Sequence, residues 1–271
     1  MPGEDSVTLY GYETLRGSPP PTDKPIRVIS MEYCPFAESS LTCQFEHSGK
    51  RARMVLAKKG LEHDIINVDL SNKPAFLFEA NPNGQVPGCF TRATTSTKYL
   101  ENKFPETATL YPKDATVRAQ GRQLSSQHGS KVIPAFYKTV SSLKSEDPAV
   151  RKEAFANFHK VLDTWVEQKL GDGPFFGGAT ENITDILIWP WLYRSDILTR
   201  HRLPELLNAD KFPKTLRYIA AMRALPYIQQ TAATDEGLLK FVDTFTSGKK
   251  PVGYNIDSKH PFYAGPASAD A

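Results

Sequence analysis

The spacing of apolar and polar positions changes character once along this chain. Ile26-Arg27-Val28-Ile29-Ser30-Met31 alternates around β-branched residues and predicts a strand. Arg51 to Lys59 predicts a helix, and Asp64-Ile65-Ile66-Asn67-Val68-Asp69-Leu70 a second strand. Strand, helix and strand in that order predict a βαβ unit. Pro74 to Ala80 predicts a short helix with proline in its first turn. Asn81-Pro82-Asn83-Gly84 predicts a turn, Val86 to Phe90 a short strand, and Thr94 to Lys103 a helix. Beyond Tyr111-Pro112-Lys113-Asp114 the period becomes helical. Phe155, Phe158, Val161, Leu162, Trp165 and Val166 recur at helical spacing, as do Leu216, Ile219, Ala220 and Met222. An α/β domain followed by an all-α domain is the expected architecture, with the boundary near residues 105–113. Residues 1–23 read as a flexible extension with the run Gly17-Ser18-Pro19-Pro20-Pro21. The α/β domain is placed at 24–105, the helical domain at 112–246, and a loosely docked tail at 247–271.

Composition narrows the functional classes. The chain has 271 residues, 40% apolar and 23% charged, enough to bury a core in each of two domains without disulfide or metal staples. Lysine and arginine number 33 against 30 acidic residues, a net charge of +3 that is too small to point to nucleic acid. The pairs Lys58-Lys59 and Lys249-Lys250 read as solvated surface. Three cysteines, Cys34, Cys43 and Cys89, fit a reduced compartment better than a disulfide framework. The run Met1-Pro2-Gly3-Glu4-Asp5 is acidic and unlike a signal peptide, and Ile186 to Leu192 is too short an apolar run for a membrane span. A cytoplasmic protein without nucleic-acid or membrane partners is expected. The histidines at 47, 63, 128, 159, 201 and 260 lack metal-ligand spacing and read as surface or capping residues, so no metal is expected. Phe176-Gly177-Gly178 reads as a turn.

Candidate chemistry centres on Cys34. It follows a predicted strand and precedes Pro35, a residue suited to the first turn of a helix. A sulfur near a helix N-terminus is stabilised as thiolate, the form that attacks disulfides. Cys34-Pro35-Phe36-Ala37 is a C-x-x-C motif with alanine at the second cysteine. A lone thiol needs an external thiol to resolve its mixed disulfide, and glutathione is the abundant cytosolic one. The other reading of Cys34 is a small buried apolar residue. Val86-Pro87 suits the cis-proline that a thioredoxin-like fold sets before its third strand, where the preceding backbone pairs with an extended peptide. An ordinary turn proline after Asn83-Gly84 is the alternative. Asn182-Ile183-Thr184-Asp185 reads as a structural capping box opening a helix, in which Asn182 and Asp185 exchange bonds with each other's backbone. Pro190 should kink that helix or begin a new one.

Several motifs in order carry a resemblance. They are Ser30-Met31-Glu32-Tyr33-Cys34-Pro35-Phe36-Ala37, Arg51-Ala52-Arg53-Met54-Val55-Leu56-Ala57-Lys58-Lys59-Gly60, Asn72-Lys73-Pro74, Asn81-Pro82-Asn83-Gly84-Gln85-Val86-Pro87, Phe175-Phe176-Gly177-Gly178 and Ile186-Leu187-Ile188-Trp189-Pro190-Trp191. Together, over roughly residues 24–245, they resemble the omega class of glutathione transferases. The resemblance implies a thioredoxin-like domain followed by an all-helical domain, in a homodimer, with glutathione as co-substrate. It implies that Cys34 forms a mixed disulfide with glutathione, Lys73 meets the glycyl carboxylate, Val86 before Pro87 pairs with the cysteinyl backbone, and Phe36 lines the site. Tyr218 matches a position lining the second, electrophile-binding pocket. The implied activities are thiol transfer, dehydroascorbate reduction and reduction of methylated arsenic or phenacyl-type substrates, with poor aryl-halide conjugation.

Two departures from the family pattern stand out. About twelve residues, Ser39 to Lys50, interrupt the first helix; at about 100° per residue they would rotate a continuous helix by roughly 120° and turn its apolar face from the core. The insert is therefore expected to loop out, with the helix restarting near Lys50. After Phe90 the fourth strand of the family hairpin has no counterpart, and Arg92 and Ala93 stand where a Glu-Ser pair would hold the γ-glutamyl end of glutathione. Thr91, Thr94 or Thr95 could offer a hydroxyl instead. Three functions follow: a glutathione-dependent thiol transferase and dehydroascorbate reductase; a catalytically impaired module binding a small apolar ligand or a protein partner; and a redox sensor pairing Cys34 with Cys43.

Overall fold

The computed structural model describes residues 27–30, 49–67, 78, 88–89 and 97–247. These fall into two compact units that divide between Thr107 and Ala108. The extension, the insert as far as Ser48, residues 90–96 where the family's fourth strand is expected to be missing, and the tail after Ser247 lie outside the described residues, as does all of the 74–80 helix except Phe78.

In the first unit β1 (Arg27–Ser30) runs parallel to β2 (Asp64–Asn67) and antiparallel to β3 (Gly88–Cys89). The strand order is β2-β1-β3. Parallel neighbours require a crossover, and α1 (Gly49–Lys58) supplies it. This helix begins next to Lys50, where the restart is expected. Its Ala52, Met54, Val55 and Leu56 are buried. It ends on Gly60, whose φ of 66° only glycine adopts cheaply. Leu61 N donates to Leu56 O and Gly60 N to Ala57 O, at 3.0 and 3.1 Å, the paired bonds of a Schellman cap. The last described element of the unit is α2 (Thr97–Lys103).

One surface expectation is corrected here. The Lys59 side chain is 0% exposed, 2.8 Å from Glu101 and 2.9 Å from the Thr107 hydroxyl. A buried ammonium survives only when paired and hydrogen-bonded, and Glu101 on α2 provides the charge. Lys59 thereby ties the end of α1 to α2.

The second unit is built of helices joined by loops and turns: α3 (Ala115–Gln127), α4 (Ile133–Ser142), α5 (Pro148–Trp165), α6 (Ile183–His201), α7 (Pro213–Ala224), α8 (Pro226–Gln230) and α9 (Asp235–Ser247). A π-helical turn, His128–Val132, joins α3 to α4. His128 at its start is fully buried, edge-on to Trp191 at 6.1 Å, which corrects its expected surface role. The α6 helix is the core element. Ile186, Ile188, Trp189 and Leu192 are buried on successive faces, as a helix surrounded by others requires. No new helix begins at Pro190: α6 runs on to His201. An interior proline costs about 3 kcal/mol, and the burial of Trp189 and Trp191 on either side offsets it.

Carboxylates build several helix starts in this unit, among them Asp114 at α3 and Asp147 at α5. Glu167 accepts from Lys214 N (2.8 Å), Thr215 N (2.8 Å) and the Thr215 hydroxyl (2.7 Å), so it caps α7 from a distant loop. Asp185 does so within its own helix.

Candidate functional site

The residues expected to hold glutathione, Cys34, Phe36, Lys73, Val86, Pro87, Thr91, Thr94 and Thr95, lie outside the described residues, as does Cys43. What is described is the frame that leads to them. The strand that leads toward Cys34 is β1, and the strand that follows Val86-Pro87 is β3. These two strands pair directly, with Ile29 opposite Gly88 and Val28 opposite Cys89. The end of β1 and the start of β3 therefore lie at one end of the sheet.

The helical unit contains a small, partly open apolar cavity of about 20 Å³. Phe136, Tyr137 and Val140 line it from α4, Arg194, Ile197 and Leu198 from α6, and Leu238, Leu239 and Val242 from α9. Arg194 is the one charged side chain in this lining among the described residues. Its Nη1 donates to Pro190 O at 2.7 Å, and its guanidinium lies 5.7 Å from the Trp191 ring centre. The wall is thus hydrophobic with a single cation held in place by the helix that carries it. Such a lining suits a small apolar group.

Tyr218 lies elsewhere. It is fully buried, it does not line this cavity, and its hydroxyl donates to Asp185 O at 3.1 Å. Its ring is 5.2 Å from Phe176 and 6.3 Å from Trp189. Burial holds its hydroxyl well above the usual tyrosine range, with the nearby Asp185 adding to the effect. A hydroxyl saturated in this way supports the fold rather than a ligand.

Beside it, Asn182 and Asp185 form the expected reciprocal cap. Thr184 N donates to Asn182 Oδ1 at 2.8 Å, and Asn182 N donates to Asp185 Oδ2 at 2.8 Å. Asp185 does more than the sequence pattern requires. Its Oδ1 accepts from Phe176 N at 2.9 Å, inside the turn closed by Phe175 and Gly178. Gly178 takes φ 91°, which makes that turn possible. Asp185 is 0% exposed. Burial raises its carboxyl to about 6, against the hydrogen bonds from Asn182 and Phe176 that lower it.

Sequence reasoning did not single out the cavity residues. An apolar side chain on a helix reads the same whether it faces a core or a cavity. The one available signal was Arg194, a cation inside the apolar run Ile186 to Leu198. Among the described residues no group of three histidine, cysteine or acidic side chains could hold a metal ion, and no helix is long and apolar enough to cross a membrane.

Comparison with known proteins agrees with this architecture. Residues 148–221 match the family model described as glutathione S-transferase, C-terminal domain. Glutathione S-transferase omega-1 of Mus musculus is 34% identical over 236 residues, which is 83% of this chain and 87% of the mouse protein. The crystal structure of glutathione transferase Omega 3C from Trametes versicolor superposes with a TM-score of 0.65 at 22% identity, covering 85% of this chain and 94% of its own. Rice GST1, in complex with glutathione, gives a TM-score of 0.68 at 20% identity, covering 86% of this chain and 100% of its own. The fold is a thioredoxin-like domain followed by an all-helical one. The chain belongs to the omega class of the glutathione transferases.

Proposed function

We propose that the protein is a glutathione-dependent thiol transferase and dehydroascorbate reductase acting through Cys34. The observation that carries this reading is the lone thiol of Cys34-Pro35-Phe36-Ala37 in a chain of this family. The Cys34 thiolate attacks the glutathionyl sulfur of a mixed disulfide, forming Cys34–S–S–glutathione and releasing the other sulfur as a thiolate. A second glutathione thiolate then attacks the bound glutathionyl sulfur. Oxidised glutathione leaves, and Cys34 returns as thiolate. With dehydroascorbate, two glutathione thiols supply the two electrons and two protons. Lys73 binds the glycyl carboxylate, Val86 before Pro87 the cysteinyl backbone, Phe36 lines the site, and a hydroxyl of Thr91, Thr94 or Thr95 serves the γ-glutamyl carboxylate. The apolar cavity takes the apolar part of the second substrate. The working form is a cytoplasmic homodimer.

Turnover of dehydroascorbate with glutathione tests the reading: Cys34→Ala is expected to lose essentially all activity, and equal rates for the two proteins would overturn it. A second reading has its own support. Arg92 and Ala93 stand where the glutathione anchor is expected, while the helical unit keeps a small apolar cavity. In that case the protein binds an apolar ligand and is catalytically weak. Retention on immobilised glutathione separates the two: the enzyme is held, the module passes through.

A further inference from the structure

One wall of the apolar cavity is α9, and charge joins α9 to α6. At the first position of α9, Asp235 Oδ2 lies 2.9 Å from both Arg200 Nη1 and His201 Nε2. Arg200 Nε also reaches Asp196 Oδ2 at 3.2 Å, and that oxygen takes Arg223 Nη1 of α7 at 2.8 Å. Two turns further along, Arg202 grips Asp243 with both terminal nitrogens, Nη2 to Oδ2 at 2.8 Å. Asp235, Leu239 and Asp243 stand at i, i+4 and i+8, one row along the helix. The middle member, Leu239, lines the cavity. Helix dipoles account for part of this pattern: Asp235 is in the first turn of α9, and Arg200 and His201 are in the last turn of α6. They do not account for Asp243, which is well inside α9 and follows Val242 of the cavity wall.

Partly exposed ion pairs of this kind are individually weak and weaken further with salt. They hold a helix in position without locking it. We propose that Arg200 and Arg202 of α6, with Asp235 and Asp243 of α9, form an ionic clasp that sets how readily α9 lifts from α6, and so how fast apolar co-substrates enter and leave the cavity. The arginines are positioning residues, since neither lines the cavity. The inference rests on the reading of this cavity as the apolar substrate site.

The test is stopped-flow binding of a neutral probe, N-phenyl-1-naphthylamine, to the full-length protein at low and high sodium chloride. Association and dissociation rates are both expected to rise several-fold in Asp243→Asn and in Arg202→Gln, while Kd moves less than either rate. Wild-type rates should climb toward those of the variants as salt increases. The charge-swapped double variant, Arg202→Asp with Asp243→Arg, should return both rates toward wild type. A merely structural contact would lower thermal stability and weaken Kd without speeding association. Unchanged association rates in the single variants, salt-independent wild-type rates, or a swap as fast as the singles would each overturn the clasp. If either single variant fails to fold, Arg200→Gln reports on the other end of the row with the same expectation. Failure of the wild-type protein to bind the probe, or binding unaffected by Leu239→Trp, would overturn the clasp by removing the cavity as a site. Glutathione-dependent turnover, measured separately, would still judge the enzymatic reading.

Discussion

At its first turn α6 is held by a carboxylate that water does not reach, and at its last turn by carboxylates that water does. Asp185 is buried and takes backbone donors from two places in the chain. Asp235 and Asp243 are 31% and 55% exposed and take arginine donors from one helix end. Their acidities move in opposite directions. Burial raises Asp185 to about 6. Burial also pulls Asp235 upward, but the hydrogen bonds from Arg200 and His201 outweigh it and the net direction is down. The hydrogen bond from Arg202 lowers Asp243. The buried end holds a turn against the core at the expense of an ionised group in a dry place. The exposed end is weaker and adjustable, which suits the wall of a ligand cavity.

Removing the buried carboxylate gives the largest effect. Asp185→Ala strands the amides of Phe176 and Asn182 and is expected to lose about 3 kcal/mol, a drop of roughly 10 °C in Tm. Differential scanning calorimetry measures it, and a loss no larger than that of an exposed substitution would show that the turn is held by something else. Next is the pH dependence. Between about 4 and about 6 the folded protein keeps a proton on Asp185 that the unfolded chain has released. This contribution is therefore full at the acid end and is lost as pH rises through about 6, with a magnitude on the order of 3 kcal/mol. Carboxyl NMR of Asp185 should show a midpoint near 6, and the stability slope attributed to it should vanish in Asp185→Asn. At the clasp the sign is reversed: the stabilisation is present above the unfolded carboxylate range and fades as pH falls through the lowered values of Asp235 and Asp243.

Asn182→Ala removes the acceptor for the backbone N–H groups of Thr184 and Asp185 and should cost about 1 kcal/mol. Asp243→Asn should be smallest, under about 1 kcal/mol and smaller still in salt. If Asp243→Asn destabilises as much as Asp185→Ala, the contrast between the two ends fails.

What the sequence made legible follows from the range of each interaction. The cap at Asn182 and Asp185 was readable because both partners lie within one turn. The restart of α1 beside Lys50 was readable because helical period and insert length are arithmetic on the chain. By contrast, Lys59 read as a surface residue because its partners, Glu101 and Thr107, are more than forty residues away. His128 failed for the same reason, since Trp191 covers it. Pro190 read as a kink or a new helix start because local propensity disfavours it; the helix runs through it, with Trp189 and Trp191 buried on either side. The apolar cavity was hidden because its wall comes from three helices that the sequence does not place together. In the sheet unit, β1 lies between β2 and β3 and pairs with both, an order that the succession of segments along the chain does not give.

The most direct test of the central claim is intact-protein and peptide mass spectrometry after exposure to oxidised glutathione. The expected result is a single glutathionyl group on Cys34, removed by added reduced glutathione. No adduct, or adducts on Cys43 or Cys89 with Cys34 unmodified, would contradict it.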